Sequence, residues 1–121
     1  MTAMTRNFDF SAPYPTTRDS RLCVGDIVVD TLRYRVWRAG RSATLGTREF
    51  HLLRLLMSDP GRVFTREEIL HQVWGDDAQV TDRNVDAYVK RLRRMLGVQA
   101  QSNPIRTVRA VGYAFDENYQ S

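Results

Sequence analysis

The 121-residue sequence contains a single cysteine, Cys23, and its only lysine is Lys90. One cysteine excludes an intrachain disulfide and a cysteine-based metal centre, and it fits a reducing compartment. Cys23 lies in the strand-like run RLCVGDIVVD, where a small buried apolar residue is expected. Apolar runs are short, far from the roughly 20 residues that cross a bilayer, and no basic start followed by an apolar stretch marks export. An intracellular, cytoplasmic protein without membrane attachment is the default expectation. His51 and His71 fall on different predicted helices, with neither a cysteine partner nor HxxxH spacing, so no metal site is expected. No Ser–His–Asp arrangement stands out, and GRSATLG lacks the Lys-Ser/Thr pair of a phosphate-binding loop. Asp76-Asp77 alone is weak evidence for calcium. These absences argue against an enzyme and against a resident cofactor.

What is abundant is positive charge. Lys and Arg number 18 against 14 Asp and Glu, a formal net charge of +4. Genome composition alone can produce the arginine excess, yet a basic balance also points toward an anionic partner. Hydrophobic residues make up 42% of the chain, enough for the core of one domain.

Residues 1–20 show no sustained period, and Pro13 and Pro15 flank Tyr14; this segment reads as a tail or interdomain linker. From Arg21 the runs RLCVGDIVVD, YRVWRAG and RSATL, punctuated by Gly25-Asp26, Asp30 to Arg33 and Ala39-Gly40, predict about four short antiparallel strands. Trp37 is expected in the core or on a sheet face. The period then becomes helical. Phe50, Leu53, Leu56 and Met57 recur at three- and four-residue spacing, with Thr47 as the expected N-cap and Pro60-Gly61 as the stop. RVF reads as a brief extended link. Thr65 to Glu68 matches a capping box ahead of Ile69, Leu70, Val73 and Trp74, and Gly75 ends this second helix. A third helix runs from a cap near Thr81 to Gly97. The segment IRTVRAVGYAF predicts strands Ile105 to Arg109 and Tyr113 to Phe115, joined by a tight turn in which Gly112 supplies the unusual dihedral. Residues 118–121 read as a short tail.

The third helix divides its faces. On a helical wheel Val85, Val89, Leu92 and Leu96 share one narrow arc, and Arg83, Ala87, Lys90 and Arg94 lie opposite. Asn84 and Arg91 fall toward one edge of the charged face, and Arg93 nearer the flank. A basic run on a helix is usually a solvated face. Here it is followed by a predicted hairpin and preceded by a capped helix, which is the layout of a winged helix-turn-helix. Arg reads guanine O6 and N7, Asn reads adenine N6 and N7, and a small residue such as Ala87 admits close approach. Flanking Arg and Lys suit phosphates, and an Arg beside a tight turn suits a narrow minor groove. The rival reading is a winged-helix protein-interaction module that does not read DNA.

RVFTREEILHQVWG, VTDRNVDAYVKRLRRML and IRTVRAVGYAF strongly resemble the DNA-binding effector domain of OmpR/PhoB-type response regulators, over about Arg21 to Phe115. The resemblance implies an α+β fold: a four-stranded N-terminal antiparallel sheet, a three-helix core and a C-terminal β-hairpin wing, within residues 21–117. It implies a recognition helix near 82–96 that places Ala87, Lys90 and Arg91 at bases and Arg83, Asn84, Arg93 and Arg94 at or near phosphates. It implies that Arg109, in the wing at 105–115, enters the minor groove, and that Arg66 and Trp74 lie close to the DNA backbone. The loop from Gly75 to Val80, with Asp76, Asp77, Ala78 and Gln79, corresponds to the family's RNA polymerase contact. Head-to-tail dimers on direct-repeat half-sites are implied as well. Relatives usually carry an N-terminal receiver domain with a phosphorylated aspartate, which this sequence does not contain; an isolated effector domain with its linker is the expectation, in a two-component system.

Overall fold

A computed structural model describes residues 20–75, 79–97 and 103–119. Four short strands open the fold: β1 (Arg21–Val24), β2 (Ile27–Asp30), β3 (Arg35–Arg38) and β4 (Arg41–Ala43). They pair consecutively as an antiparallel meander. Its register sets Leu22 opposite Val29, Val29 opposite Val36, and Val36 opposite Ala43. Ile27, Val29 and Val36 face the main core, while Val28 and Trp37 pair on the other face, as a period of two requires. The same alternation corrects the expectation for Cys23. Its neighbours Leu22 and Val24 turn toward the core, and Cys23 is exposed on an edge strand.

The turn after β2 is built by Asp30, which is fully buried. Its Oδ1 accepts the backbone N–H groups of Leu32 and Arg33, each at 3.0 Å, and the Ser20 hydroxyl at 3.1 Å. Burial pushes the Asp30 carboxyl up, but these donors and the Arg33 charge outweigh it and hold its pKa below the usual carboxylate value.

Three helices follow: α1 (Thr47–Met57), α2 (Arg66–Trp74) and α3 (Asp82–Leu96). Thr47, the expected N-cap of α1, is its first helical residue; Gly46 is the cap, extended at φ −72°, and its carbonyl accepts the Phe50 N–H. The capping box of α2 is present, with Glu68 N–H donating to Thr65 Oγ1 at 3.0 Å and Thr65 N–H to Glu68 Oε1 at 2.9 Å. Phe50, Leu52, Leu53 and Leu56 of α1, Ile69 and Val73 of α2, and Val85, Val89, Leu92 and Leu96 of α3 meet in one core. Burial of each such side chain stabilises the fold by about 1.5–3 kcal/mol.

The expected link RVF contains a strand instead. β5 (Phe64–Thr65) joins β6 (Ile105–Val108) and β7 (Gly112–Phe115) in a second sheet, ordered β5-β7-β6. The β6–β7 turn also departs from expectation. The positive φ, 65°, falls on Ala110 and not on Gly112. Gly112 is required for a different reason: it pairs with Thr65, and a Cβ there would collide with the Phe64 carbonyl. The fold also extends past the expected boundary at 117. Tyr119 is buried, donates to Asp26 Oδ1 at 2.9 Å, accepts from Arg38 Nε at 3.3 Å and packs edge-on to Phe115.

Candidate nucleic-acid interface

The interface is built on α3. Its N-terminus is fixed by Thr81 N–H donating to Asn84 Oδ1 at 2.8 Å. Its C-terminus is closed by Gly97 in the left-handed region, at φ 68° and ψ 24°, where glycine carries no Cβ penalty. Between these caps Val85, Val89, Leu92 and Leu96 are buried, while Arg83, Ala87, Lys90, Arg91 and Arg94 are exposed. Among the described residues none of these four cations forms an ion pair. Like charges this dense cost a helix a few tenths of a kcal/mol per pair, and the opposite buried face supplies the compensation.

Arg91 does not wave freely. Its guanidinium lies 4.7 Å from the Tyr88 ring centroid, and Tyr88 packs edge-on to Trp74 at 5.1 Å. Arg48 lies over the Trp74 ring at 5.9 Å and donates to the Val73 carbonyl at 2.8 Å. A row of two edge-on aromatic rings with a guanidinium at each end thus runs from α1 through α2 to the charged face of α3. Trp74, expected close to the DNA backbone, is buried within that row.

Two further arginines expected at DNA are engaged inside the protein. Arg93 is half-buried, and its Nη2 donates to the Ile105 carbonyl at 2.6 Å and to Thr107 Oγ1 at 2.8 Å, tying α3 to β6. Burial lowers its pKa. Arg66 donates from Nε to Asp86 Oδ1 at 2.8 Å, a bond that raises the Arg66 pKa. Asp86 accepts the Tyr113 hydroxyl on the same oxygen at 2.6 Å. Burial pushes Asp86 up, but the Tyr113 and Arg66 donors outweigh it and lower its pKa; burial and then Asp86 push the Tyr113 phenol up. Asn84 sits half-buried with its carbonyl oxygen in the cap, which leaves its NH₂ as the outward donor. Sequence reasoning missed Asp86, Tyr88 and Tyr113. Asp86 lies three residues after Arg83 and four before Lys90, so in the sequence it reads as no more than a local offset to their charge.

Arg106 and Arg109 are exposed on the wing, Arg109 at the start of the β6–β7 turn. Of the expected polymerase loop, Asp76, Asp77 and Ala78 lie outside the described residues, and Gln79 is exposed.

Residues 40–115 match the family described as "Transcriptional regulatory protein, C terminal". The phosphate regulon transcriptional regulatory protein PhoB of Rhizobium meliloti is 45% identical over 102 residues, which cover 84% of this chain and 45% of that protein. The heme response regulator HssR of Staphylococcus epidermidis is 36% identical, over 87% of this chain and 47% of that one. The chain therefore spans about half the length of these curated relatives. Among solved structures, the Klebsiella pneumoniae RstA DNA-binding domain in complex with the RstA box superposes with a TM-score of 0.72 at 30% identity, covering 80% of this chain and 97% of that domain. The Escherichia coli CpxR DNA-binding domain gives 0.71 at 29% identity, with 81% and 97% covered. This family is a class of transcription-regulator DNA-binding domains and not an enzyme class. With its four-stranded sheet, three helices and wing, the chain belongs to the winged-helix C-terminal DNA-binding domains of OmpR/PhoB-type transcriptional regulators.

Proposed function

We propose that this chain is the DNA-reading effector part of a two-component response regulator that controls transcription in the cytoplasm. The observation that carries the reading is the exposed row Arg83, Lys90, Arg91 and Arg94, unpaired among the described residues, on a helix whose other face is buried. In this reading α3 lies in the major groove. Ala87, Lys90 and Arg91 face base edges, with Arg91 held ready by Tyr88, while Arg83, Arg94 and the Asn84 amide meet phosphates. Arg109 enters the adjacent minor groove. Arg66, Trp74 and Arg93 act from behind, holding the reading elements in place. The RstA domain, solved with its DNA box, supports this arrangement by similarity. By the same family likeness, two copies bind head to tail on direct-repeat half-sites, the loop at 75–80 faces RNA polymerase, and a receiver domain belongs to the longer parent protein.

Selection of bound sequences from a random duplex pool at moderate salt tests the reading. The expected result is an enriched direct repeat, bound with a log–log salt slope of about −0.9 per phosphate neutralised. Arg91→Ala should cost roughly 1–3 kcal/mol on that repeat and relax the preference at its base. Salt-sensitive binding without any enriched motif would sink sequence-specific recognition.

A further inference from the structure

Asp86 is out of place on a surface that meets DNA. It lies on the basic helix three residues after Arg83 and four before Lys90, and its side chain is 46% exposed. A carboxylate there repels phosphates, so its presence calls for a compensating role. Two side-chain donors converge on its Oδ1: Arg66 Nε at 2.8 Å from the start of α2, and the Tyr113 hydroxyl at 2.6 Å from β7. The Tyr113 ring is flanked by two guanidiniums, Arg66 at 5.2 Å and Arg93 at 5.7 Å from its centroid. Arg93 in turn grips β6 through Ile105 and Thr107. The wing is thus tied to α3 at two points, by Arg93 on β6 and by Asp86 on β7. These ties add to the β5–β7 pairing and the buried Ile105 and Phe115, and they act directly on the angle between the wing and the helix. Charge-assisted bonds of this kind are short and directional, which suits a fixed spacing.

We infer that Asp86, acting through Tyr113 and Arg66, is a positioning residue that sets the wing against α3, and so fixes the spacing between the major-groove and minor-groove contacts. This rests on the DNA-binding reading above. The role makes a specific demand on Tyr113: it is 5% exposed, so its hydroxyl serves the wing and not the DNA. Removing that one oxygen leaves the outer surface and both ring–guanidinium contacts intact.

The test compares the full 121-residue chain with Tyr113→Phe and Asp86→Asn by two measurements. Amide hydrogen exchange in free protein reports the tie without DNA. Both variants should exchange wing amides at 105–108 and 112–115 about tenfold faster, with α3 core amides unchanged, because a hydrogen bond to a charged group is lost. Selection from a random duplex pool reports the spacing. Both variants should retain the core motif enriched by the unmutated chain and lose the flanking preference read by the wing. Unchanged wing exchange in both variants overturns the inference. So does an altered core base preference in Asp86→Asn alone with the flank intact, which makes Asp86 itself a base reader. An unmutated chain that enriches no motif refutes the DNA-binding reading instead. Exchange then decides the tie by itself: tenfold acceleration upholds it and an unchanged rate removes it.

Discussion

The two helices of the helix-turn-helix treat their cationic side chains in opposite ways. On and just before α2, Arg62 pairs with Glu68 at 2.9 Å and Arg66 with Asp86 at 2.8 Å. On the outward face of α3, Arg83, Lys90, Arg91 and Arg94 are exposed without an ion pair among the described residues. Arginine density therefore does not by itself mark an interface in this protein. The mark is charge left without an ion pair among the described residues, even though Asp86 lies three residues from Arg83 and four from Lys90. The contrast recurs within α3, between the neighbours Arg93, gripped by the wing, and Arg94, exposed.

The sharpest test of this contrast substitutes those neighbours one at a time. Arg93→Ala leaves the Ile105 carbonyl and Thr107 hydroxyl without their donor and removes half-buried side-chain packing. It should destabilise the fold by about 2–3 kcal/mol in urea denaturation. Arg94→Ala should stay within about 0.5 kcal/mol of the unmutated stability while lowering the magnitude of the salt slope for DNA binding by about one. Equal stability losses would erase the distinction between held and free arginines.

Acid should weaken the held set next. Asp30 and Asp86 have pKa values lowered in the folded protein. Their contribution is therefore complete above the unfolded carboxylate range, about 4, and is lost as pH falls through their lower folded values. Stability measured from pH 6 down to pH 3 should decline, and Asp30→Asn should flatten the decline by on the order of 1 kcal/mol. A parallel acid limb in the variant would remove Asp30 from the account. The smallest effect belongs to the exposed pair: Arg62→Ala should change stability by about 0–1 kcal/mol and leave DNA affinity unaltered. A loss of affinity there would extend the interface onto α2.

Much of this arrangement was legible from residue order. The Thr65–Glu68 capping box, the stop at Gly97, and the apolar arc Val85, Val89, Leu92 and Leu96 all stand as local pattern implies, because caps and helical faces depend on residues within a turn or two. The four-strand meander was readable for the same reason, since its turns connect adjacent strands. The difficulties lay where partners are distant. Phe64 looked like part of a link because its strand partner is Tyr113, nearly fifty positions on. Tyr119 looked like tail because Asp26 and Arg38 hold it from the far end of the chain. Cys23 looked buried because a short apolar run does not reveal which face of an edge strand meets the core.

The sequence by itself determined that a helix would form at 82–96, which of its faces would be buried, and that the opposite face would be basic, since period and side-chain chemistry are local properties. Only the tertiary structure decided which of those cations remain free. Arg93 is engaged because β6 passes beside it, and Asp86 is occupied because Arg66 and Tyr113 arrive from two other elements. A hydrogen bond depends on separations of about 3 Å, and chain folding alone brings these residues, 12 to 27 positions apart, to that distance.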